Sequence, residues 1–139
     1  MILVDTWAWV ALALKRDQHH QHVKGQHKAL RRAGRLYVTT NFVMSELIAH
    51  LYTTLAADQA RTFINNVLAS ADAGVYRLIH VSPDQFRRAW QLRQRYDDKP
   101  DISFVDFTSM VIMQELGMTD VFTGDAHFQQ VGLGFRLVP

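Results

Sequence analysis

Cysteine is absent from the 139-residue chain, which rules out a disulfide framework and a thiolate metal site and fits a reducing cytoplasm. Long apolar runs are missing too. The longest, Trp7 to Leu14, falls far short of the roughly 20 residues that span a bilayer. Asp5 precedes that run where a signal peptide would carry positive charge, so the N-terminus reads as mature and cytosolic. No internal repeat or low-complexity segment is visible. Nor is there a serine–histidine–aspartate order, a phosphate-binding glycine loop or a glycine dinucleotide fingerprint. Glutamate is scarce, with Glu46 and Glu115 the only two.

What remains is an ordinary globular composition. The length and an apolar fraction of 48% suit one domain over residues 1–139 with a sizeable core. Fifteen Lys and Arg face thirteen Asp and Glu, a net charge of only +2. Four of those acids are set apart below as a site, and the remainder of the chain is then clearly basic. Such a surface, with one negative focus, suits a polyanion held by metal at that focus. A basic protein without any such partner has the same composition.

The chain alternates strands and helices. Ile2 to Asp5 is a short apolar run ending in an acid, followed by a helix from about Thr6 to Lys15. A polar helix from His20 to Ala33 closes at Gly34. A strand at Leu36 to Thr39 leads into a helix capped by Thr40 or Asn41 that reaches about Leu55. Asp58 is placed to cap the next helix, whose Phe63, Ile64, Val67 and Leu68 recur at helical spacing. Arg77 to Val81 reads as a third strand. Ser82-Pro83-Asp84 starts a helix to about Tyr96, with a cap residue and proline at its first position. After the polar stretch Asp97 to Asp101 come a helix over Asp106 to Gly117 and strands at Asp120 to Thr123 and Phe135 to Val138. This alternation predicts parallel pairing in an α/β architecture. Ligands of such sheets collect beyond the carboxyl ends of the strands.

Four acids stand where a solvated carboxylate is out of place. Asp5 ends the run Ile2-Leu3-Val4, Glu46 lies inside the apolar pattern Phe42 to Ile48, Asp106 opens the apolar stretch Phe107 to Met113, and Asp125 follows Val121 and Phe122. Carboxylates are rarely buried unless paired or bound to metal. Asp5 and Asp125 fall just after strands, and Asp106 and Glu46 are assigned to first turns of helices, all expected at one sheet edge. Taken alone, each of Asp5, Asp106 and Asp125 is better explained by helix capping, Asp106 as the return partner of Ser103 in a capping box. Glu46 sits several residues into its helix and is not a cap; His50, one turn later, is a simple hydrogen-bond partner for it.

Taken in order, Ile2-Leu3-Val4-Asp5-Thr6, Val43-Met44-Ser45-Glu46, Ser103-Phe104-Val105-Asp106 and Thr123-Gly124-Asp125-Ala126-His127-Phe128 resemble the signature segments of PIN-domain nucleases. More narrowly, they resemble the VapC-type toxins of bacterial and archaeal toxin–antitoxin pairs. The resemblance runs over nearly the whole chain and implies a PIN-like three-layer α/β/α sandwich around a central parallel sheet. It implies that Asp5, Glu46, Asp106 and Asp125 form an acidic quartet binding Mg²⁺ or Mn²⁺. Thr123 and Thr6 match polar positions of second rank. The implied activity is metal-dependent endoribonuclease cleavage that leaves a 5′-phosphate and a 3′-hydroxyl. The implied partners are a small antitoxin protein and a second copy in a homodimer. Trp7 departs from the small residue that many relatives carry and either narrows the cleft or stacks a base. The Asp97 to Asp101 loop is one residue longer than in close relatives, which leaves Asp101 as an alternative third acid, although a helix start favours Asp106.

Other clusters are less pointed. His19, His20, His22 and His27 lack the geometry of a zinc site and read as a solvated helix. On the same helix Lys24, Lys28, Arg31 and Arg32 share a face at i+4 spacing, which suits either an RNA backbone or plain solvation. Arg87, Arg88, Arg93 and Arg95 make a second basic surface. His127 is placed to handle a proton or a phosphate without being assigned a catalytic role. The Phe63 to Leu68 face serves either core packing or partner contact. Two other functions remain open: a catalytically silent PIN-like module that binds RNA or protein, and a phosphohydrolase of small substrates.

Overall fold

β-Branched and aromatic residues in short runs build a sheet whose strands are only three or four residues long. The computed structural model describes residues 1–139. In chain order the elements are β1 Ile2–Val4, α1 Thr6–Ala13, α2 His20–Arg32, β2 Tyr37–Thr40, α3 Asn41–Thr54, α4 Ala57–Asp72, β3 Tyr76–Ile79, α5 Pro83–Arg95, α6 Phe104–Glu115, β4 Asp120–Phe122, α7 His127–Gln130 and β5 Arg136–Val138. All five strands run parallel in the order β3-β2-β1-β4-β5. The expected three-layer α/β/α arrangement is what forms. Alternate strand residues separate two cores. Ile2, Val4, Tyr37 and Phe122 face α1 to α4; Leu3, Val38 and Val121 face α5 to α7.

Local chemistry sets the element ends. Gly34 takes a left-handed φ of 71°, its N–H bonds Arg31 O, and Arg35 N–H bonds Leu30 O, a two-bond helix termination that suits glycine. Ser82 and Gln85 exchange bonds in a capping box with Pro83 at the first helical position. Asp58, expected as a cap, lies instead in the first turn of α4, with Ala56 at the cap position. The short helix α7 was not expected: four residues between glycine-rich turns carry too little periodicity to be read. Ile64 and Val67 are buried in the core and Phe63 packs against it, whereas Leu68 is exposed, so core packing accounts for most of the α4 face that is a candidate partner surface. No helix is long and apolar enough to cross a membrane.

The amino end of the sheet is tied by charge. Asp120, buried at the start of β4, accepts two bonds of 2.8 Å from Arg136 on β5 and one of 2.8 Å from Arg35 before β2. These guanidinium bonds hold its carboxyl below the ordinary range. Asp120→Ala is expected to lower the free energy of unfolding by about 2 kcal/mol, the scale of hydrogen bonds to a buried charge. A denaturation midpoint equal to that of the parent would show that the clamp carries no net stability.

Candidate active site

β1 and β4 are neighbours in the sheet, with Leu3 opposite Val121 and Val4 opposite Phe122. The register continues past the strands, where Asp5 N–H donates to Phe122 O at 3.2 Å. That places Thr123 beside Asp5, and its hydroxyl donates to Asp5 Oδ2 at 2.8 Å. Thr123 Oγ1 in turn accepts from Asp125 N–H at 3.0 Å, so one buried threonine links the first acid to the backbone of the last. Asp5 occupies the cap position of α1, but its side chain makes no cap bond. Its carboxylate serves the cleft.

The other acids arrive from helices. Ser103 Oγ accepts from Asp106 N–H at 3.1 Å, while the return bond of a capping box is missing. Asp106 Oδ2 instead lies 3.0 Å from His127 Nδ1. Asp125 is partly a local cap, accepting from His127 N–H at 3.0 Å, and its Oδ2 lies 3.1 Å from the same His127 ring nitrogen. Glu46 sits in the second turn of α3, not the first, and accepts from Thr6 Oγ1 at 2.6 Å. The bond expected from His50 is replaced by this one; His50 is exposed on the same cleft.

The cleft has a volume of about 350 Å³ and is lined by Asp5, Asp17, Glu46, Asp106 and Asp125, with no lysine or arginine among its walls. Asp5 and Asp106 are buried, Glu46 and Asp125 half-buried. Burial first, then the charge of Asp106, pushes the Asp5 carboxyl up to about 7. Burial likewise raises Asp106 to about 6, against the hydrogen bond from His127, with Asp125 and Glu46 adding to the rise. The pair resists full ionisation until a cation supplies the missing charge. A donor set of carboxylate oxygens with one imidazole, and no basic side chain in competition, fits a divalent ion. The three donor atoms drawn from Asp106, Asp125 and His127 lie within 4.8 Å of one another.

Trp7 forms one wall of this cleft. Its ring lies 4.9 Å from that of His19, and a Cβ at Gly124 would overlap the indole. Trp7 therefore narrows the cleft, and glycine at position 124 is what lets it do so.

Several expectations are redirected. Asp101 is exposed and outside the cleft, so Asp106 is the acid that joins the group. Arg31 is folded over the rings of Tyr37 and Tyr76 at 5.2 and 5.4 Å and donates to Arg35 O, which removes it from any phosphate-tracking face; Lys24, Lys28 and Arg32 stay exposed. His20 is buried on Ala11 O and His27 bonds the Tyr37 hydroxyl, so only His19 and His22 fit a solvated helix. Arg93 donates to the carbonyls of Tyr96, Lys99 and Ile102 and Arg88 pairs with Glu115, which reduces the second basic surface to Arg87 and Arg95. Asp17 was missed altogether. It follows two basic residues in a turn, and only tertiary folding brings it to the acids. A larger groove of about 840 Å³ shares Asp17 but adds only Asp58 as a further carboxylate, beside Lys15 and Arg16.

The raised carboxyls have a sign that can be checked. Folded-state values of about 7 and about 6, against an ordinary 3.8, mean that the folded protein holds protons that the unfolded chain has released. Their contribution to stability is present near pH 4 and is lost as pH rises through about 7. In EDTA, Asp5→Asn is therefore expected to melt above the parent at pH 8, with the difference shrinking toward pH 4. Equal pH dependence in the two proteins would contradict a strained carboxylate at Asp5.

Known proteins resemble the chain in sequence and in fold. The PIN domain family model matches residues 2–133. The chain is 29% identical over 132 residues to the 23S rRNA-specific endonuclease VapC20 of Mycobacterium tuberculosis, covering 95% of both chains. The crystal structure of that protein, described as a Sarcin-Ricin loop cleaving toxin, superposes with a TM-score of 0.78 at 28% identity over 95% of both chains. FitAcB from Neisseria gonorrhoeae (TM-score 0.67, 14% identity, 100% of this chain and 97% of that one) shares the fold. So does PAE2754 from Pyrobaculum aerophilum (TM-score 0.62, 16% identity, 99% and 88%). With the family match spanning every element but the last strand, the chain belongs to the PIN-domain family.

Proposed function

We propose that the chain is a metal-dependent endoribonuclease acting as the toxin of a VapBC-type toxin–antitoxin pair in the cytoplasm. The observation that carries this reading is the gathering of Asp5, Glu46, Asp106 and Asp125 in one cleft without a lysine or arginine to neutralise them. Asp5 and Asp106 would hold Mg²⁺ or Mn²⁺ as its central ligands, and Glu46 and Asp125 would complete the site. When bound, the ion activates water and stabilises charge on the scissile phosphate. The chain's own residues fix the oxygens. Thr123 sets the rotamer of Asp5, and Thr6 occupies Glu46 Oε1, leaving Oε2 to accept a proton from water in the cleft. A water nucleophile needs no ribose 2′-hydroxyl, and with the 3′-oxygen as leaving group the products are a 5′-phosphate and a 3′-hydroxyl. A silent binding module of this fold has no need of all four acids, and their joint presence favours an enzyme.

The partners in this reading are RNA, an antitoxin protein and a second copy of the chain. Likeness to VapC20 makes the sarcin–ricin loop of 23S rRNA the first substrate to try. A surface for the second copy lies at the starts of α3, α5 and α6, where Phe42, Phe86 and Phe104 pack with ring centroids 4.9 to 6.4 Å apart. Phe86 and Trp90 there are 48% and 52% exposed. Contiguous exposed aromatics of this kind mark contact surfaces.

Purified protein with Mn²⁺ is expected to cut ribosomal RNA into discrete 5′-phosphate fragments, and EDTA to stop it. Asp106→Asn should abolish cleavage, and Thr123→Val should slow it about 10- to 100-fold by freeing Asp5. Cleavage at the parent rate by Asp106→Asn would sink the ligand assignment. For assembly, Phe86→Asp should convert a dimer to a monomer in light-scattering mass measurements; a dimer that survives it places the contact elsewhere.

A further inference from the structure

We propose that His127 supplies a nitrogen ligand to the ion of this cleft, making it a carboxylate–imidazole centre that prefers Mn²⁺ to Mg²⁺. The proposal rests on the metal-dependent reading above and adds to it a residue and a selectivity. The Nδ1 atom of His127 stands 3.0 Å from Asp106 Oδ2 and 3.1 Å from Asp125 Oδ2. Spacings near 3.0 Å are those of hydrogen bonds, and they are also the edges of an octahedron with bonds of about 2.1 Å. An imidazole nitrogen in that position donates its proton to the acids or, without the proton, offers its lone pair to an ion.

The ring is held there rather than passing through. Its own backbone N–H bonds Asp125 Oδ1, the Asp125 N–H bonds Thr123, and Phe128, the next residue, is fully buried against Phe135. The segment from Thr123 to Phe128 therefore fixes one acid, the ring and the anchor together. The ring has no other occupation: its side chain is 23% exposed on the cleft, and its Nδ1 contacts are the two site acids alone. His50, the other histidine of the cleft, has no such bond to an acid and is exposed.

Selectivity follows from the donor type. Mg²⁺ is held through oxygen and parts with its water reluctantly, whereas Mn²⁺, although it too favours oxygen, opens the first-row series whose ions bind mixed nitrogen and oxygen sites. A fixed imidazole therefore adds affinity for Mn²⁺ that an all-carboxylate site lacks.

The test is electron spin echo modulation of the full-length protein loaded with Mn²⁺ alone, together with calorimetric titration of Mn²⁺ and of Mg²⁺. The parent is expected to show nitrogen modulation that changes isotope pattern when histidine is labelled with ¹⁵N. His127→Gln should lose the modulation and bind Mn²⁺ about tenfold more weakly while Mg²⁺ affinity shifts less than about twofold. His50→Ala should keep the modulation. Bound Mn²⁺ without nitrogen modulation in the parent would overturn the proposal, leaving His127 as a hydrogen-bond partner of the acids and the nuclease reading intact. Failure of the parent to bind Mn²⁺ at all would overturn both. The parent spectrum decides the matter even if a variant fails to fold.

Discussion

Repulsion among carboxylates held in a cleft without lysine or arginine is the constraint around which this molecule is organised. Two of them are buried deeply enough that their proton affinity rises to near neutrality. Nothing in the sheet requires this; an apolar or amide residue at Asp5 or Asp106 would pack with less cost. The fold bears the strain because the acids are anchored by neighbours that cannot easily turn away. Parallel pairing of β1 with β4 brings Thr123 to Asp5, and the 123–128 segment brings His127 to Asp106.

Charge elsewhere in the chain is arranged differently. Asp120, at the opposite end of β4 from Asp125, is satisfied by two arginines and its carboxyl is held below the ordinary range. β4 thus starts at one acid and leads, three residues past its end, to another. One is neutralised by the protein and contributes to stability. The other meets no lysine or arginine in its cleft, and that contrast marks which end of the sheet is the candidate for chemistry. Several arginines that a sequence reader would assign to RNA are engaged with carbonyls, rings or Glu115, so the basic surface available to a polyanion is smaller than the charge count suggests.

Much of the site was legible because its residues break local rules. Glu46, one of two glutamates, interrupts an apolar helix. Asp5 and Asp125 end apolar runs that are too short to be anything but strands. These anomalies depend only on neighbours in sequence, so sequence exposes them. Where the reading failed, the cause was tertiary. Asp17 lies in an ordinary polar turn. His20 and His27 sit in a polar helix whose inner face is buried against Ala11 and Tyr37. Arg31 and Arg93 are drawn to rings and carbonyls that arrive from distant segments. The half-made capping box at Ser103 is the clearest case: spacing predicted that Asp106 would return to the helix start, and His127, brought in from another element, takes that carboxylate instead.

The central claim is that the cleft at the carboxyl ends of β1 and β4 holds a divalent ion. Anomalous diffraction at the manganese edge from crystals soaked in Mn²⁺ tests it most directly. The account predicts a peak bonded to Asp5 and Asp106, with Asp125 beside it. A cleft without a peak in a crystal with the fold intact, or a peak only at surface carboxylates such as Asp84 or Asp98, would contradict it.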